Sequence, residues 1–211
     1  MLVAILTVLA LLAAIITILA TYQGWRLTHY LFKPLAIIFI ILIALEPNHP
    51  TSSFYRYIII AGLLFSLVGD IFLMLPRDRF FIHGLISFLV AHLCYIAAFM
   101  YESGHAASLR GVIPFLIYGG LMMRVLWPHL GKMRVPVVFY MLAILMMGWT
   151  ATSRWMLTEQ PGSLLAMLGA LLFIASDSLL ALDKFKGRFR SAQLLIFSTY
   201  AVAQWLIALS I

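Results

Sequence analysis

Eight long apolar runs separated by short connectors leave this chain few ways to fold. They lie at about Leu2–Ala20, Phe32–Leu45, Tyr57–Leu75, Phe80–Tyr101, Val112–Trp127, Val135–Thr152, Leu164–Leu182 and Ala192–Ile211. A helix of about 20 apolar residues crosses a bilayer with every backbone hydrogen bond made internally, and most of the runs approach that length. The second and fifth are shorter. Strands are excluded, because the runs are too long and lack period-two alternation. Charged residues make up 10% of the chain and hydrophobic residues 64%, against about 25% and 45–50% in soluble proteins. The sequence therefore predicts an all-α polytopic membrane protein: a bundle of eight transmembrane helices forming one membrane-embedded domain over residues 1–211. The first run is too long for a signal-peptide core and no basic residue precedes it, so it is expected to be a retained helix.

The net charge of +7 is spread over the connectors rather than gathered in a stripe, which argues against nucleic acid and for membrane topology and anionic lipid. The first, third, fifth and seventh connectors hold Arg26, Lys33, Arg77, Arg79, Arg124, Lys132, Arg134, Lys184, Lys186, Arg188 and Arg190. The other three hold Arg56, Arg110 and Arg154. Positive residues favour the cytoplasmic side, so both termini are expected outside, in a bacterial cytoplasmic (inner) membrane.

Two carboxylates then stand out. Asp70 in SLVGDIFLML and Asp177 in FIASDSLLALDKF each fall about five residues before the inner end of an apolar run. An ionised carboxylate there costs several kcal/mol unless it meets a partner, a polar cavity or water (about 2.5–3.5 kcal/mol even on insertion scales). Both runs travel inward, so both residues lie about 7 Å above the cytoplasmic interface at 1.5 Å per residue. Two level carboxylates on separate helices suggest one shared site. The Gly69-Asp70 and Ser176-Asp177 segments, each followed by an apolar stretch and a basic turn, also hint at a four-plus-four internal repeat.

Other polar residues admit two readings. Gly62, Ser66 and Asp70 share a helix face, where the first two suit a small-residue packing seam. Gly84, Phe88, His92 and Tyr95 form a second stripe, with His92 about 18 Å from the cytoplasmic end, either a structural hydrogen-bond partner or a site residue. Tyr200 and Gln204, four apart, either bond helices together or face the site. Tyr140 falls at the aspartates' depth. Lys33-Pro34 is read as the opening of the second helix, where proline is natural, with Lys33 snorkelling or holding a phosphate. Asp183 and Lys184 read as an interfacial ion pair. The lone cysteine, Cys94, excludes an internal disulfide and a cysteine zinc cluster. No HExxH, GxSxG or glycine-rich phosphate loop occurs, so no metal or cofactor is expected.

In combination, FKPL at Phe32–Leu35, SLVGDIFLML at Ser66–Leu75, HGLISFLVAHLCYIAAF at His83–Phe99, FIASDSLLALDKF at Phe173–Phe185 and STYAVAQWLIALS at Ser198–Ser210 resemble the YhhN-type lysoplasmalogenases. The stretch Met133–Thr152, with Pro136, Tyr140 and Met147, fits as well. The resemblance implies an eight-helix hydrolase that splits the vinyl ether bond of a lysoplasmalogen, a lysophospholipid, into a fatty aldehyde and a glycerophospho-base. It implies Asp70 and Asp177 as catalytic residues. Lys33, His92, Tyr95, Tyr140, Tyr200 and Gln204 would form the substrate pocket.

That chemistry suits the residues. A vinyl ether hydrolyses by protonation at its β-carbon, and the oxocarbenium ion formed then captures water. One carboxyl must be protonated and the other ionised, as in glycoside hydrolysis. The apolar residue Phe173, one turn before Asp177, points to Asp177 as the acid. The alternative from another class is a proton-coupled transporter of a small amphiphile, which also uses buried aspartates.

Overall fold

The computed structural model describes residues 1–46, 49, 51–76, 78–104 and 111–211, without the side chains of Asp78 and Arg79. Arg77, Arg110 and the Arg79 side chain, used in the charge pattern, lie outside this description. The helices are α1 (Leu2–Gln23), α2 (Arg26–Ala44), α3 (Ser53–Met74), α4 (Asp78–Glu102), α5 (Val112–Leu126), α6 (Arg134–Thr158), α7 (Pro161–Ala181) and α8 (Ala192–Leu209). Among the described residues there is no strand. Two 3₁₀ turns, Trp127–His129 and Gly131–Met133, link α5 to α6, and α7 widens into a π turn over Leu182–Lys186.

Seven of the helices are long and apolar enough to cross a membrane. Their outer faces carry large apolar side chains, including Leu12, Ile86, Phe139 and Leu142, each at least half exposed. Such a continuous apolar exterior is unusual for a soluble protein and normal for a surface that meets lipid. The chain is therefore an integral membrane protein. Helix α5, with 15 residues, falls short of a span, yet it runs antiparallel beside α6. Gly111 lies near Trp149 and Ser153, Phe115 near Gly148, and Leu126 packs on Val137. The described residues thus form a bundle of eight helices, of which α5 is the one too short to span by itself.

The helix pairs α1–α2, α3–α4 and α7–α8 pack closely, with α6 against α4 and α7, and α8 also against α1, α2 and α3. The seams are built from small residues, as expected where lipid gives helices no hydrophobic reason to associate. A β-carbon at Gly169 would lie 2.8 Å from the Ala203 carbonyl oxygen of α8. Gly69 faces the Phe88 ring, 2.7 Å from where its β-carbon would be. These approaches set the C-terminal part of α3 against α4 and the first half of α7 against α8.

Both chain termini sit at one end of the bundle. Trp205 Nε1 donates to Thr7 Oγ1 (3.1 Å), linking the last helix to the start of the first. At the same end Arg154, 1% exposed, stacks on Tyr55 and donates to its hydroxyl (2.6 Å), and Tyr55 pairs with Ser210 (2.6 Å). The aspartates lie toward the opposite end.

Because the Gly169 contact is with backbone, Gly169→Ala is expected to destabilise the protein by about 1–3 kcal/mol, as overpacking does elsewhere. Gly120→Ala, with nothing within 4 Å of the added atom, should be neutral or slightly stabilising. Thermal melting in detergent, comparing the two variants, checks this.

Candidate active site

Asp70 lies in the last turn or so of α3 and is 2% exposed. Lys33 Nζ of α2 sits 3.0 Å from its Oδ1, and Tyr200 Oη of α8 donates to its Oδ2 at 2.6 Å. The bonding continues inward. Gln204 Nε2 donates to Tyr200 Oη (3.2 Å), and Tyr95 Oη of α4 donates to Gln204 Oε1 (2.8 Å). Four helices are thereby tied to one carboxylate. Buried polar chains of this kind are stabilising only when their members are satisfied, and each of these side chains has a partner.

Lys33 corrects the sequence reading. Helix α2 begins at Arg26, so Lys33 and Pro34 are interior and do not open the helix. Hydropathy had cut the helix short at the polar stretch Arg26–Tyr30, which winds as helix all the same. Pro34 lacks an N–H and would crowd the Tyr30 carbonyl four residues back, a cost the helix carries within its first turns. The consequence is positional: Lys33 lies about two turns up from the start of α2, where its ammonium meets Asp70 rather than remaining at the surface.

Asp177, near the end of α7, is partly buried and has a different environment. Tyr140 Oη of α6 donates to its Oδ2. Among the described residues it has no basic partner. His92, fully buried, presents its ring edge-on to Tyr140 (5.1 Å between centroids) and to Phe173 (4.9 Å). Neither ring nitrogen makes a hydrogen bond among the described residues. His92 thus packs behind Tyr140 and props it against Asp177.

The two carboxylates line one cavity of about 490 Å³, together with Lys33 and Tyr200. Its rim adds His29, Thr21, Gln193, Lys184, Lys186 and Arg188. His29 Nδ1 lies 2.9 Å from Thr21 Oγ1. A second, mostly apolar cavity of about 70 Å³ lies between α4, α5, α6 and α7, and Asp177 and Tyr140 line it. Of the sequence-predicted residues, Lys33, Asp70, Tyr140, Tyr200 and Asp177 face these cavities. His92, Tyr95 and Gln204 line neither and support those that do. Of the two residues read as an interfacial ion pair, Asp183 Oδ1 accepts the Phe189 N–H (3.2 Å) and Lys184 lies over the Phe81 ring (4.8 Å). Sequence reasoning missed His29, Thr21 and Gln193, which sit at helix ends where polar residues are ordinary. Their only signal was proximity to the ends of the apolar runs. No group of three His, Cys, Asp or Glu side chains suited to a metal ion converges among the described residues.

These features define a multi-pass membrane protein with paired interior carboxylates opening to a basic mouth. The sequence profile of the YhhN family matches residues 28–211, and the chain belongs to that family. It is 40% identical over 171 residues to a bovine (Bos taurus) protein named lysoplasmalogenase TMEM86A, covering 77% of this chain and 67% of that one. It is 33% identical over 194 residues to a Mycobacterium tuberculosis protein named lysoplasmalogenase, covering 87% and 72%. Over 200 residues it is 27% identical to the Escherichia coli O157:H7 uncharacterized membrane protein YhhN, covering 95% of both. No solved structure matches the chain.

Breaking the Lys33–Asp70 pair from one side leaves a buried, unpaired carboxylate, which typically costs about 3–5 kcal/mol. Lys33→Met should therefore destabilise strongly, and adding Asp70→Asn should recover most of the loss. Melting temperatures of the wild type, both single variants and the double variant test this as a double-mutant cycle.

Proposed function

We propose that this protein is a lysoplasmalogenase, hydrolysing the vinyl ether bond of a lysoplasmalogen to a fatty aldehyde and glycerophosphoethanolamine or glycerophosphocholine. The observation that carries this reading is the pair of interior carboxylates on one cavity, with unlike partners, in a chain whose relatives bear that enzyme's name.

The reaction asks for an acid and a cation-stabilising carboxylate close together, with water at hand. Asp177, with a phenol as its hydrogen-bond partner and an apolar cavity beside it, is the proton donor. Its proton goes to the β-carbon of the vinyl ether, and the carbon–carbon double bond becomes the new C–H bond. Asp70, held by Lys33 and Tyr200, is the fixed carboxylate facing the oxocarbenium ion. Water adds to the α-carbon and gives up a proton to a carboxylate. The hemiacetal collapses to the aldehyde, returning a proton to the departing glycerol oxygen. One water is consumed and the acid is restored. Such preorganised charges act most strongly where water is scarce.

Tyr200, Gln204 and Tyr95 hold Asp70 in place, and Tyr140, backed by His92, holds Asp177. The rim residues Lys184, Lys186 and Arg188 offer cations to the substrate phosphate. By the positive-inside rule this rim faces the cytoplasm of a bacterial cell, with both termini outside, so the lysolipid enters from the inner leaflet. Transport is a weaker fit. Helices α3 and α7 run unbroken through Asp70 and Asp177, whereas ion-coupled carriers typically interrupt helices at the binding site.

Purified protein incubated with 1-alkenyl lysophosphatidylethanolamine or lysophosphatidylcholine should release fatty aldehyde. Asp70→Asn and Asp177→Asn should each lower turnover by at least about 10²–10⁴-fold, the usual worth of acid–base catalysis. The double variant should be little worse than either single one, because the pair acts as a unit. Variants that bind lysolipid normally yet retain near-wild-type turnover would overturn the mechanism. Exhaustive chelation should leave the rate nearly unchanged. Loss of activity restored by zinc alone would reassign Asp70, His92 and Asp177 as ligands. A periplasm-dependent reporter fused at Ile211 should be active.

A further inference from the structure

The apolar cavity beside the proton donor is large enough to hold part of a ligand. It is walled by Phe81, Leu85 and Phe88 of α4, by Tyr118, Met122 and Leu126 of α5, and by α6 and α7. Asp177 lines this cavity and the polar one alike, and so do Leu73, Phe81, Phe88, Leu180 and Phe185. The two spaces therefore meet at Asp177 and differ sharply in character. One is rimmed with lysine and arginine; the other is aliphatic and aromatic apart from Asp177, Tyr140, Tyr118 and Ser178.

We infer that the apolar cavity is the binding site for the hydrocarbon chain of a single-chain vinyl ether lipid, entered from Asp177. This deepens the hydrolase reading and rests on it. The chemistry of the bond supplies the reason. In a vinyl ether the α-carbon bears the oxygen and the headgroup, while the β-carbon bears the chain. The carbon that takes the proton is thus the first carbon on the chain side. A proton donor for it must stand where the polar half of the substrate gives way to the apolar half, which is where Asp177 stands. Asp70 and Lys33, which face the polar cavity, lie on the side of the carbon–oxygen bond.

The arrangement also gives α5 a purpose. This helix packs mainly on α6 and adds little to the core, with Gly119 and Leu126 its buried residues. Its inner face, Tyr118, Met122 and Leu126, closes the apolar cavity, and Tyr118 Oη lies 2.6 Å from Ser178 Oγ, next to Asp177. At about 70 Å³ the cavity takes the carbons adjoining the double bond. Met141, whose neighbour Tyr140 contacts Asp177, lines it from α6 and becomes a determinant of specificity.

Two measurements test this. The first compares kcat/KM for a 1-hexadecenyl lysophosphatidylcholine with that for its chainless 1-vinyl analogue. Met141→Trp, which fills the cavity, should lower the ratio at least tenfold, and an unchanged ratio in folded protein would overturn the inference. The second uses wild-type protein and needs no hydrolysis. A non-cleavable 1-alkyl lysophosphatidylcholine with a diazirine a few carbons from the ether should label Met122, Met141 or Leu145. Labelling confined to the groove between α1 and α8, at Leu11 and Trp205, would overturn it. Labelling at α5 and α6 by a protein that releases no aldehyde would uphold the chain site while removing the hydrolase reading.

Discussion

A carboxylate inside hydrocarbon must be matched, and the Lys33–Asp70 ion pair is how this fold meets that demand. Both charges are largely withdrawn from bulk water: the two side chains are 14% and 3% exposed. Their pairing joins α2 to α3, and Tyr200 brings in α8 from the other side. Water competes poorly for such a pair, so its geometry is held more firmly than that of a surface ion pair. Gln204 and Tyr95 then extend the constraint to α4. The interior of the bundle is thus fixed by a polar chain, and small residues such as Gly69 and Gly169 let the helices come close enough to form it.

Much of this was legible in the sequence, because the bilayer allows so few solutions. Apolar run length gives the helices. Charge bias and helix rise together put Asp70, Asp177 and Tyr140 at one level, and the structure brings Tyr140 onto Asp177 and both aspartates onto one cavity. What hydropathy could not show was anything depending on which helix faces which. Lys33 is the clearest case. Window averaging cuts the second helix short at Arg26–Tyr30, although a polar turn costs a helix nothing once it projects toward headgroups. The error concealed the partner of Asp70.

His92 shows the opposite limit. Its place in the apolar run marks it as unusual, and an imidazole in hydrocarbon invites a functional reading. Its ring is instead enclosed by aromatic edges, between Tyr140 and Phe173. Periodicity did identify the face, since Gly84, Phe88, His92 and Tyr95 are all buried. It could not say whether that face meets a cavity or a wall of rings, which depends on side chains from α6 and α7. The rim residues His29, Thr21 and Gln193 escaped notice for a related reason: near helix ends, a polar residue at the mouth of a site has the same local sequence as one that merely faces water.

The two aspartates look alike in sequence and differ in the fold, and the difference has chemical content. Each lies near the C-terminal end of its helix and in the sequence each is followed by a basic turn, so a repeat would give them like surroundings. Yet Asp70 has an ammonium and a phenol as partners, whereas Asp177 has a phenol and opens onto an apolar wall. Identical environments would favour sharing one proton between equivalent carboxyls. Unlike environments make the two carboxyls chemically distinct, and the proposed reaction, which needs one acid and one anion, uses that distinction. Lys33 is the residue that breaks the symmetry, and it does so from the interior of α2 rather than from its end.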